Sequence, residues 1–172
     1  MNKRYYSLGL MSGTSMDGVD ASIILSDGEK KLKIIDNYYE KYDGNFKLKL
    51  KKFISKTAAP EYIKNNKDLY EKLENEITTK HAEVSKKIIK KNKNIQIDFI
   101  GFHGQTVLHN PKKNVSIQMG DPNLLSNLLR KKIYFNFRQN DIRNGGEGAP
   151  LTPLYHLLIT KNSKLKLPII FL

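Results

Sequence analysis

The sequence predicts an α/β fold whose mixed sheet begins with an antiparallel β-hairpin. Three observations lead to this prediction. Two short apolar runs, residues 5–10 and 19–25, flank a glycine-rich loop and have the patterning of strands. Apolar residues then recur at helical spacing over residues 46–54 and 68–91. Further along, the apolar run 95–102 has the length and composition of a buried strand.

The glycine-rich loop is the first stretch with a chemical signature. Residues 8–20 read LGLMSGTSMDGVD, which combines three glycines and several hydroxyl side chains with the carboxylates Asp17 and Asp20. Glycine lets backbone N–H groups close on a ligand, and successive amides form an anion-binding nest. A carboxylate suits such a loop when Mg²⁺ accompanies a phosphate, because this ion takes one or two carboxylates together with phosphate oxygens. The residues therefore indicate a site for a magnesium nucleotide.

Comparison of this loop with known phosphate-binding motifs limits the kinds of loop that it can be. A Walker A loop requires Gly-Lys-Ser/Thr before a helix, and a dinucleotide-binding loop requires G-x-G-x-x-G before a helix. The sequence has neither motif here, and a strand follows the loop. A strand–loop–strand hairpin with an internal Asp resembles the first phosphate motif of the sugar kinase, actin and heat-shock ATPase superfamily. The alternative is a Gly/Ser-rich turn with solvated carboxylates.

Composition limits the class of protein. The 172 residues suffice for one domain with a hydrophobic core, and they include no cysteine, which excludes disulfides and fits a cytoplasmic protein. No apolar run is long enough to predict a membrane span, and the N-terminal stretch does not resemble a signal peptide. The net charge of +13 raises the alternative of a nucleic-acid-binding module. Because the basic residues are mostly Lys, dispersed among Glu and Asn, a Lys-rich surface is favoured and no nucleic-acid partner is expected.

The middle of the chain is expected to complete a meander and then form helices. Residues 33–42 continue the strand pattern, which predicts three sequential antiparallel strands. Asn45 is the expected N-cap of a helix over 46–54. The longer helix over 68–91 has apolar residues on one stripe and Lys and Glu elsewhere, and His81 is expected at its surface or boundary.

A polar cluster follows the predicted strand 95–102. His103 and Gln105 are expected to contact a ligand, because open α/β sheets bind ligands at the carboxyl ends of their strands. One alternative is a metal site that pairs His103 with His109, for which no third ligand is evident. Another is a histidine that only hydrogen-bonds within a turn.

A second glycine-rich loop follows the predicted strand 133–137. Arg138 and Arg143 can each bind a phosphate or carboxylate through two N–H groups. Asp141 lies between them and is a candidate general base. The remaining predicted elements are a strand over 115–119, helices over 123–129 and 153–159, and a final strand over 165–172.

Four motifs occur in the order that they take in bacterial anhydro-N-acetylmuramic acid kinases: GLMSGTSMDGVD, GFHGQTVLH, IQMGDP and FRQNDIRNGGEGAPLTPLYH. The chain resembles this family over essentially its whole length. The resemblance implies a ribonuclease H-like (actin-like ATPase) fold with two lobes around a cleft, and it implies ATP and Mg²⁺. It also implies that 1,6-anhydro-N-acetylmuramic acid is hydrolysed and phosphorylated to N-acetylmuramic acid 6-phosphate, in the recycling of cell-wall amino sugars.

The resemblance further implies roles for individual residues. Asp141 matches the catalytic base of the family's R-x-x-D element, and Asp17 is expected to bind the metal ion. The expected ATP-phosphate loop comprises Gly13, Thr14, Ser15, Met16, Asp17, Gly18, Val19 and Asp20. The expected substrate-binding residues are His103, Gln105, Arg138, Gly146 and Glu147.

The chain departs from the family pattern in two respects. Asn136 stands where the family usually has Asp, which keeps the hydrogen bonds but loses the charge. Family members are also longer, and they continue into another phosphate loop, an adenosine pocket and a homodimer interface. Residues 1–135 are therefore expected to form a ribonuclease H-like lobe, and residues 136–172 the truncated start of a second lobe.

Three hypotheses of function remain open from the sequence. The first is the amino-sugar kinase, as a fragment or as a subunit that a second chain completes. The second is a non-catalytic remnant of the same fold that binds ligand weakly. The third, from charge alone, is a basic nucleic-acid-binding protein.

Overall fold

A computed structural model describes residues 3–163 of the chain. The final strand predicted over 165–172 lies outside the described residues. The sheet comprises β1 (Tyr5–Ser12), β2 (Gly18–Ser26), β3 (Leu32–Lys41), β4 (Phe99–Asn110), β5 (Val115–Met119) and β6 (Lys132–Phe135). The α-helices are α1 (Gly44–Ile54), α2 (Pro60–Asn65), α3 (Lys67–Lys91), α4 (Pro122–Leu129), α5 (Gln139–Arg143) and α6 (Pro153–Asn162), and a short 3₁₀ turn covers Pro111–Lys113.

The six strands form one mixed sheet in which β3, β2, β1, β4 and β5 are successive neighbours. β2 pairs antiparallel with β1 on one side and with β3 on the other, which confirms the predicted meander and the initial hairpin. β4 runs parallel to β1, with Ser7 opposite Phe99, and β6 pairs in parallel with the first half of β4. β5 pairs antiparallel with the second half of β4. Helices connect the parallel strands, as parallel pairing requires.

The hydrophobic core lies on one face of this sheet, beneath α1 and α3. Alternate residues of the first two strands point into it, among them Leu8, Leu10, Val19, Ala21 and Ile23. The long helix contributes residues at helical spacing, among them Leu73, Ile77, Val84 and Ile88. Each fully buried aliphatic or aromatic side chain of this kind contributes roughly 1.5–3 kcal/mol through the hydrophobic effect.

The expectation that His81 lies at the surface is wrong. His81 is 0% exposed, and its ring packs edge-on against Phe102 with the ring centroids 5.1 Å apart. The helix stripe that buries Ile77 and Val84 is wide enough to include position 81 as well. Its Nδ1 donates to the Ile77 carbonyl oxygen at 2.8 Å, which satisfies one of its two ring nitrogens inside the core.

The strand after the long helix is displaced from its predicted limits. β4 begins at Phe99 and continues to Asn110, so His103 and Gln105 lie within the strand rather than after its end. Gly104 adopts a φ of +68°, and a Cβ at this position would overlap the Met119 carbonyl oxygen of β5. This glycine therefore lets β4 bend and continue against β5, although its sequence neighbourhood has the composition of a loop.

Two further boundaries differ from the predictions. The N-cap of α1 is Asp43 rather than Asn45, because the Asp43 side chain accepts a hydrogen bond from the Phe46 N–H at 2.8 Å. β6 ends at Phe135, since Asn136 has a φ of +60°, a left-handed conformation that Asn tolerates better than most residues. Asp141 consequently lies in the short helix α5 instead of a loop.

The other face of the sheet is only partly covered. Helix α6 lies against it, with Tyr155 near Gly9, Ile24 and Phe99. No helix among residues 3–163 is both long and apolar enough to cross a membrane.

Candidate functional site

The turn between β1 and β2 holds the first group of predicted site residues. Met16 donates its N–H to the Gly13 carbonyl oxygen at 3.0 Å and has a φ of 53°, in the left-handed region. The Ser15 hydroxyl donates to Asp17 Oδ1 at 2.8 Å. The Asp17 carbonyl oxygen accepts from the Tyr42 N–H at 2.8 Å, which fastens the turn to the end of β3. A turn that combines right- and left-handed residues is a common way to form an anion nest.

The two carboxylates of this hairpin differ in their electrostatics. The hydrogen bond from Ser15 lowers the pKa of Asp17, so this carboxylate is ionised at neutral pH. Burial raises the pKa of Asp20, and the negative charge of Asp17 raises it further. A divalent cation near both carboxylates would offset this repulsion, so the donor set fits a magnesium ion that also binds phosphate oxygens.

Packing within the fold fixes the identity or the direction of two residues of the predicted phosphate loop. A Cβ at Gly18 would overlap the Glu40 carbonyl oxygen and the Tyr39 ring, so close packing of β2 on β3 requires glycine here. The Val19 side chain is fully buried in the core. These residues can face a ligand only through their backbone, whereas Thr14 and Ser15 are exposed.

Gln105 is buried inside the protein, whereas its sequence position predicts a side chain that contacts a ligand. Its side chain is 1% exposed, and Gln105 Oε1 accepts from the Ser12 hydroxyl at 2.7 Å. Gln105 Nε2 donates to the Thr106 carbonyl oxygen at 3.3 Å. Because both polar ends of this side chain bind protein atoms, Gln105 joins the end of β1 to β4.

The second group of site residues surrounds Asp141. Asp141 Oδ2 accepts from the Gly148 N–H at 2.7 Å, and the Asp141 carbonyl oxygen accepts from the Gly146 N–H at 2.9 Å. A Cβ at Gly146 would overlap the Asp141 carboxylate, so the loop can fold back on the carboxylate only because residue 146 is glycine. Asp141 and Glu147 are both exposed.

Arg138 links this loop to β4. Its Nε and Nη2 lie 3.1 and 3.0 Å from His103 Nε2, and its Nη1 donates to the Gly148 carbonyl oxygen at 2.6 Å. His103 Nδ1 lies 3.0 Å from the Gly104 carbonyl oxygen, so the proton is on Nδ1 and Nε2 accepts from Arg138. Burial lowers the pKa of His103, and the nearby Arg138 charge lowers it further, which keeps the imidazole neutral.

One cavity of about 680 Å³ brings residues of the separate motifs together. Asp20 from the hairpin and His103 from β4 both line it, with Tyr39, Phe137 and Leu151. Asp141 is not among the lining residues, and its connection to the cavity runs through Gly148, Arg138 and His103.

Several contributors to this region are not predicted by sequence motifs. Tyr39 could have been found from the meander alone, because it pairs with Asp20 in the β2–β3 register and so shares its face. No sequence pattern predicts that Phe137 and Leu151 line the cavity, because both residues lie in loops. His109 does not join His103: its Nδ1 contacts the Ser116 hydroxyl at 3.0 Å, and residues 3–163 contain no group of three or more histidines and carboxylates arranged for a metal.

The fold and this region define the class of protein. A meander followed by parallel strands, with a glycine-rich, Asp-containing turn between β1 and β2, is the arrangement of the actin-like ATPase and sugar kinase fold. Comparison with known proteins narrows this class to one family. The family model for anhydro-N-acetylmuramic acid kinase matches residues 4–170, and the chain belongs to this family.

Curated relatives agree with the family match. The chain is 50% identical to the anhydro-N-acetylmuramic acid kinase of Pelagibacter ubique (strain HTCC1062) over 169 residues, which cover 98% of this chain and 44% of the relative. It is 36% identical to that of Brucella suis (strain ATCC 23445 / NCTC 10510), with 96% and 45% covered. It is 38% identical to that of Zymomonas mobilis subsp. mobilis, with 87% and 42% covered. The chain therefore spans less than half the length of these relatives.

Proposed function

We propose that this chain supplies the phosphate hairpin and the catalytic aspartate of an ATP-dependent anhydro-N-acetylmuramic acid kinase in cell-wall amino-sugar recycling. The observation that carries the proposal is the continuous set of contacts from Asp141 through Gly148 and Arg138 to His103, which opens on a cavity shared with Asp20. Two sequence motifs that lie far apart in the chain are thereby connected to one candidate site.

In the proposed reaction Asp141 is the general base. The Gly148 N–H holds one of its carboxylate oxygens, and the exposed carboxylate takes a proton from a water molecule. The water oxygen then bonds to the anomeric carbon of the anhydro sugar while the bond from that carbon to the 6-oxygen breaks. The freed 6-oxygen would then bond to the terminal phosphorus of ATP while the bond from that phosphorus to the bridging oxygen breaks, so that ADP leaves. Phosphoryl transfer depends mainly on positioning and charge neutralisation, so Asp141 is the residue with a chemical step of its own.

The hairpin is the proposed phosphate end of the site. Gly13, Thr14, Ser15 and Met16 would face the ATP phosphates, and Asp17 would bind Mg²⁺ with Asp20 close by. The Ser15 hydrogen bond that lowers the pKa of Asp17 supports this assignment, because a metal ligand must be ionised. ATP supplies the phosphoryl group, and the metal ion neutralises charge on it.

The sugar would bind at the opposite end, near the second glycine-rich segment. Arg138 is partly buried and fixed by His103, which suits it to pair with the carboxylate of a small amino sugar. Gly146 and Glu147 stay candidates for substrate contact. For Gln105 we infer a positioning role in place of the predicted contact, because it is buried on Ser12.

The proposal also covers the lobes of the protein, its location in the cell and its assembly with other chains. Residues 1–135 would form the first lobe and residues 136–172 the beginning of a second, with catalysis in the cytoplasm. A second chain that supplies the rest of the family's length would complete the nucleotide site, and the completed protein would form a homodimer. A chain that binds ligand without turnover is the alternative, because this chain spans only 44% of the Pelagibacter relative.

The test joins this chain to the part of the Pelagibacter relative that follows the matched region and measures phosphorylation of the anhydro sugar. We expect Asp141→Asn to lower turnover roughly 10²-fold or more while nucleotide binding stays nearly unchanged, as loss of a general base does. Asp68→Asn, an exposed carboxylate on α3, is the matched control and should retain full turnover. Equal turnover of Asp141→Asn and its parent would remove Asp141 from this role.

A further inference from the structure

The second glycine-rich loop begins with a dipeptide that the proposed reaction does not use, Asn144 followed by Gly145. It is the one place in the sequence where Asn precedes Gly. Asn144 is exposed and is the C-cap of α5. Gly145 has a φ of +86°, and within residues 3–163 the space around a Cβ at this position is open. An asparagine carboxamide in this setting is chemically labile, because glycine leaves its own backbone nitrogen unhindered.

The reaction open to this dipeptide is deamidation through a cyclic imide. The Gly145 backbone nitrogen bonds to Asn144 Cγ while the bond from Cγ to Nδ2 breaks, and Nδ2 leaves as ammonia with the proton that the Gly145 nitrogen gives up. Water then adds across one of the imide C–N bonds and restores the N–H of residue 145. Opening at Cγ gives aspartate, whereas opening at the backbone carbonyl carbon gives isoaspartate, whose backbone is longer by a carbon atom.

The folded loop keeps the two reacting groups apart. Asn144 has a ψ of 17°, which points the Gly145 nitrogen away from the Asn144 side chain. The Gly145 N–H donates to the Ile142 carbonyl oxygen at 3.1 Å, and Asn144 Nδ2 donates to the Asn140 carbonyl oxygen at 2.7 Å. The imide can therefore form only after these hydrogen bonds open and ψ of Asn144 rotates.

Helix α5 and the loop after it are an element that opens easily. The helix has 5 residues, of which only Ile142 is buried, and elements with few buried contacts open at low cost in free energy. The loop is attached to the helix through Asp141, whose carbonyl oxygen accepts from the Gly146 N–H and whose Oδ2 accepts from the Gly148 N–H. Opening of this segment therefore exposes Asn144 to reaction and frees Asp141 at the same time.

We propose that Asn144 is a site of spontaneous deamidation in the folded chain, and that opening of α5 and the following loop controls its rate. The isoaspartate product lengthens the backbone just before Gly146 and Gly148, whose N–H groups hold Asp141. Deamidation therefore loosens the hold on Asp141 as the protein ages. The chemistry needs only solvent water, so it is independent of the kinase activity proposed above.

The experiment incubates the full 172-residue chain at mildly alkaline pH, with and without guanidinium chloride, and follows Asn144 by mass spectrometry. Cleavage after lysine releases the peptide 133–161, which also contains Asn136 and Asn140. These two residues are internal controls, because neither precedes a glycine. We expect the carboxamide of Asn144 to be replaced by a carboxylate, roughly ten-fold more slowly in the folded chain than in the denatured one.

A pair of glycine variants tests the control by the loop. Gly146→Ala places a Cβ on the Asp141 carboxylate, so it should open the loop and raise the rate in the folded chain at least roughly three-fold. Gly44→Ala is the matched control, because a Cβ at the start of α1 meets open space within the described residues. It should leave the rate unchanged. If Gly146→Ala does not fold, Ile142→Ala, which removes the buried side chain of α5, takes its place.

Several results would overturn the proposal. These are no reaction at Asn144 in the folded chain, equal rates in the folded and denatured chains, equal reaction at Asn136 and Asn140, or the parent's rate in a folded loop variant. Hydrogen exchange measures the consequence for Asp141. The Gly146 and Gly148 amides should exchange faster in the aged chain than in the fresh one, and unchanged exchange would contradict the loosened hold on Asp141.

Discussion

At the scale of single residues, His81 shows how a polar side chain can belong to the core. Its Nδ1 is hydrogen-bonded to Ile77, while its Nε2 has no hydrogen-bond partner within the described part of the chain. Burial lowers the pKa of His81 to about 4. The neutral form is therefore the one that fits the folded state, and protonation favours the unfolded chain.

This histidine predicts a specific pH dependence of stability. Because the pKa is lower in the folded state than its usual 6.5, stability is complete above about pH 6.5 and falls until about pH 4. We expect the free energy of unfolding, measured with urea, to decrease by roughly 2 kcal/mol between pH 7 and pH 5 through this group. His81→Leu should remove most of that slope, and His103→Gln should remove a further part, since the pKa of His103 is also lowered. An unchanged slope in His81→Leu would contradict the assignment.

At the scale of elements, the contact between Ser12 and Gln105 joins the β1–β2 hairpin to β4. The register between β1 and β4 shifts between Leu10 and Ser12, and the side-chain hydrogen bond lies just after that irregularity. Strand pairing is weaker at such a position, so a buried side-chain bond there helps to fix where the hairpin projects.

Removal of one partner of this bond should destabilise the protein. Ser12→Ala leaves Gln105 Oε1 buried without its donor, which costs about 1–3 kcal/mol. Hydrogen exchange of the turn between β1 and β2 should speed up in the same variant. Ser22→Ala, on the opposite face of the sheet, is the control and should change the free energy of unfolding by less than about 0.5 kcal/mol. The prediction fails if both variants unfold at the same urea concentration.

At the scale of the whole molecule, the net charge of +13 is the most conspicuous property. Some lysines form ion pairs across the β3–α3 interface, where Lys87 lies 2.6 Å from Glu40 and Lys91 lies 2.9 Å from Asp36. These pairs are half-exposed, and the basic residues along the sequence are mostly Lys, dispersed among Glu and Asn.

The charge should therefore produce only non-specific binding to nucleic acid. We expect weak association with duplex DNA that is indifferent to sequence and falls steeply between 50 and 200 mM salt. Fluorescence anisotropy with two unrelated duplexes measures both properties. Binding that prefers one duplex and persists at physiological salt would favour the basic nucleic-acid-binding alternative instead.

The sequence by itself determined the order and type of the main elements and the location of both glycine-rich segments. Periodicity is a local property, so the meander, the helices α1 and α3 and the hairpin with Asp17 follow from short windows of sequence. The motifs also determined the family, which the comparison with known proteins confirms.

The tertiary structure decided what depends on close approach between distant segments. Gly104 extends β4 because Met119 comes near its backbone, and Gln105 is turned inward because Ser12 lies opposite. The contacts from Asp141 to His103 arise from a loop that folds back over Gly146. These features depend on non-local packing, which leaves no period in the sequence, so only the folded chain reveals them.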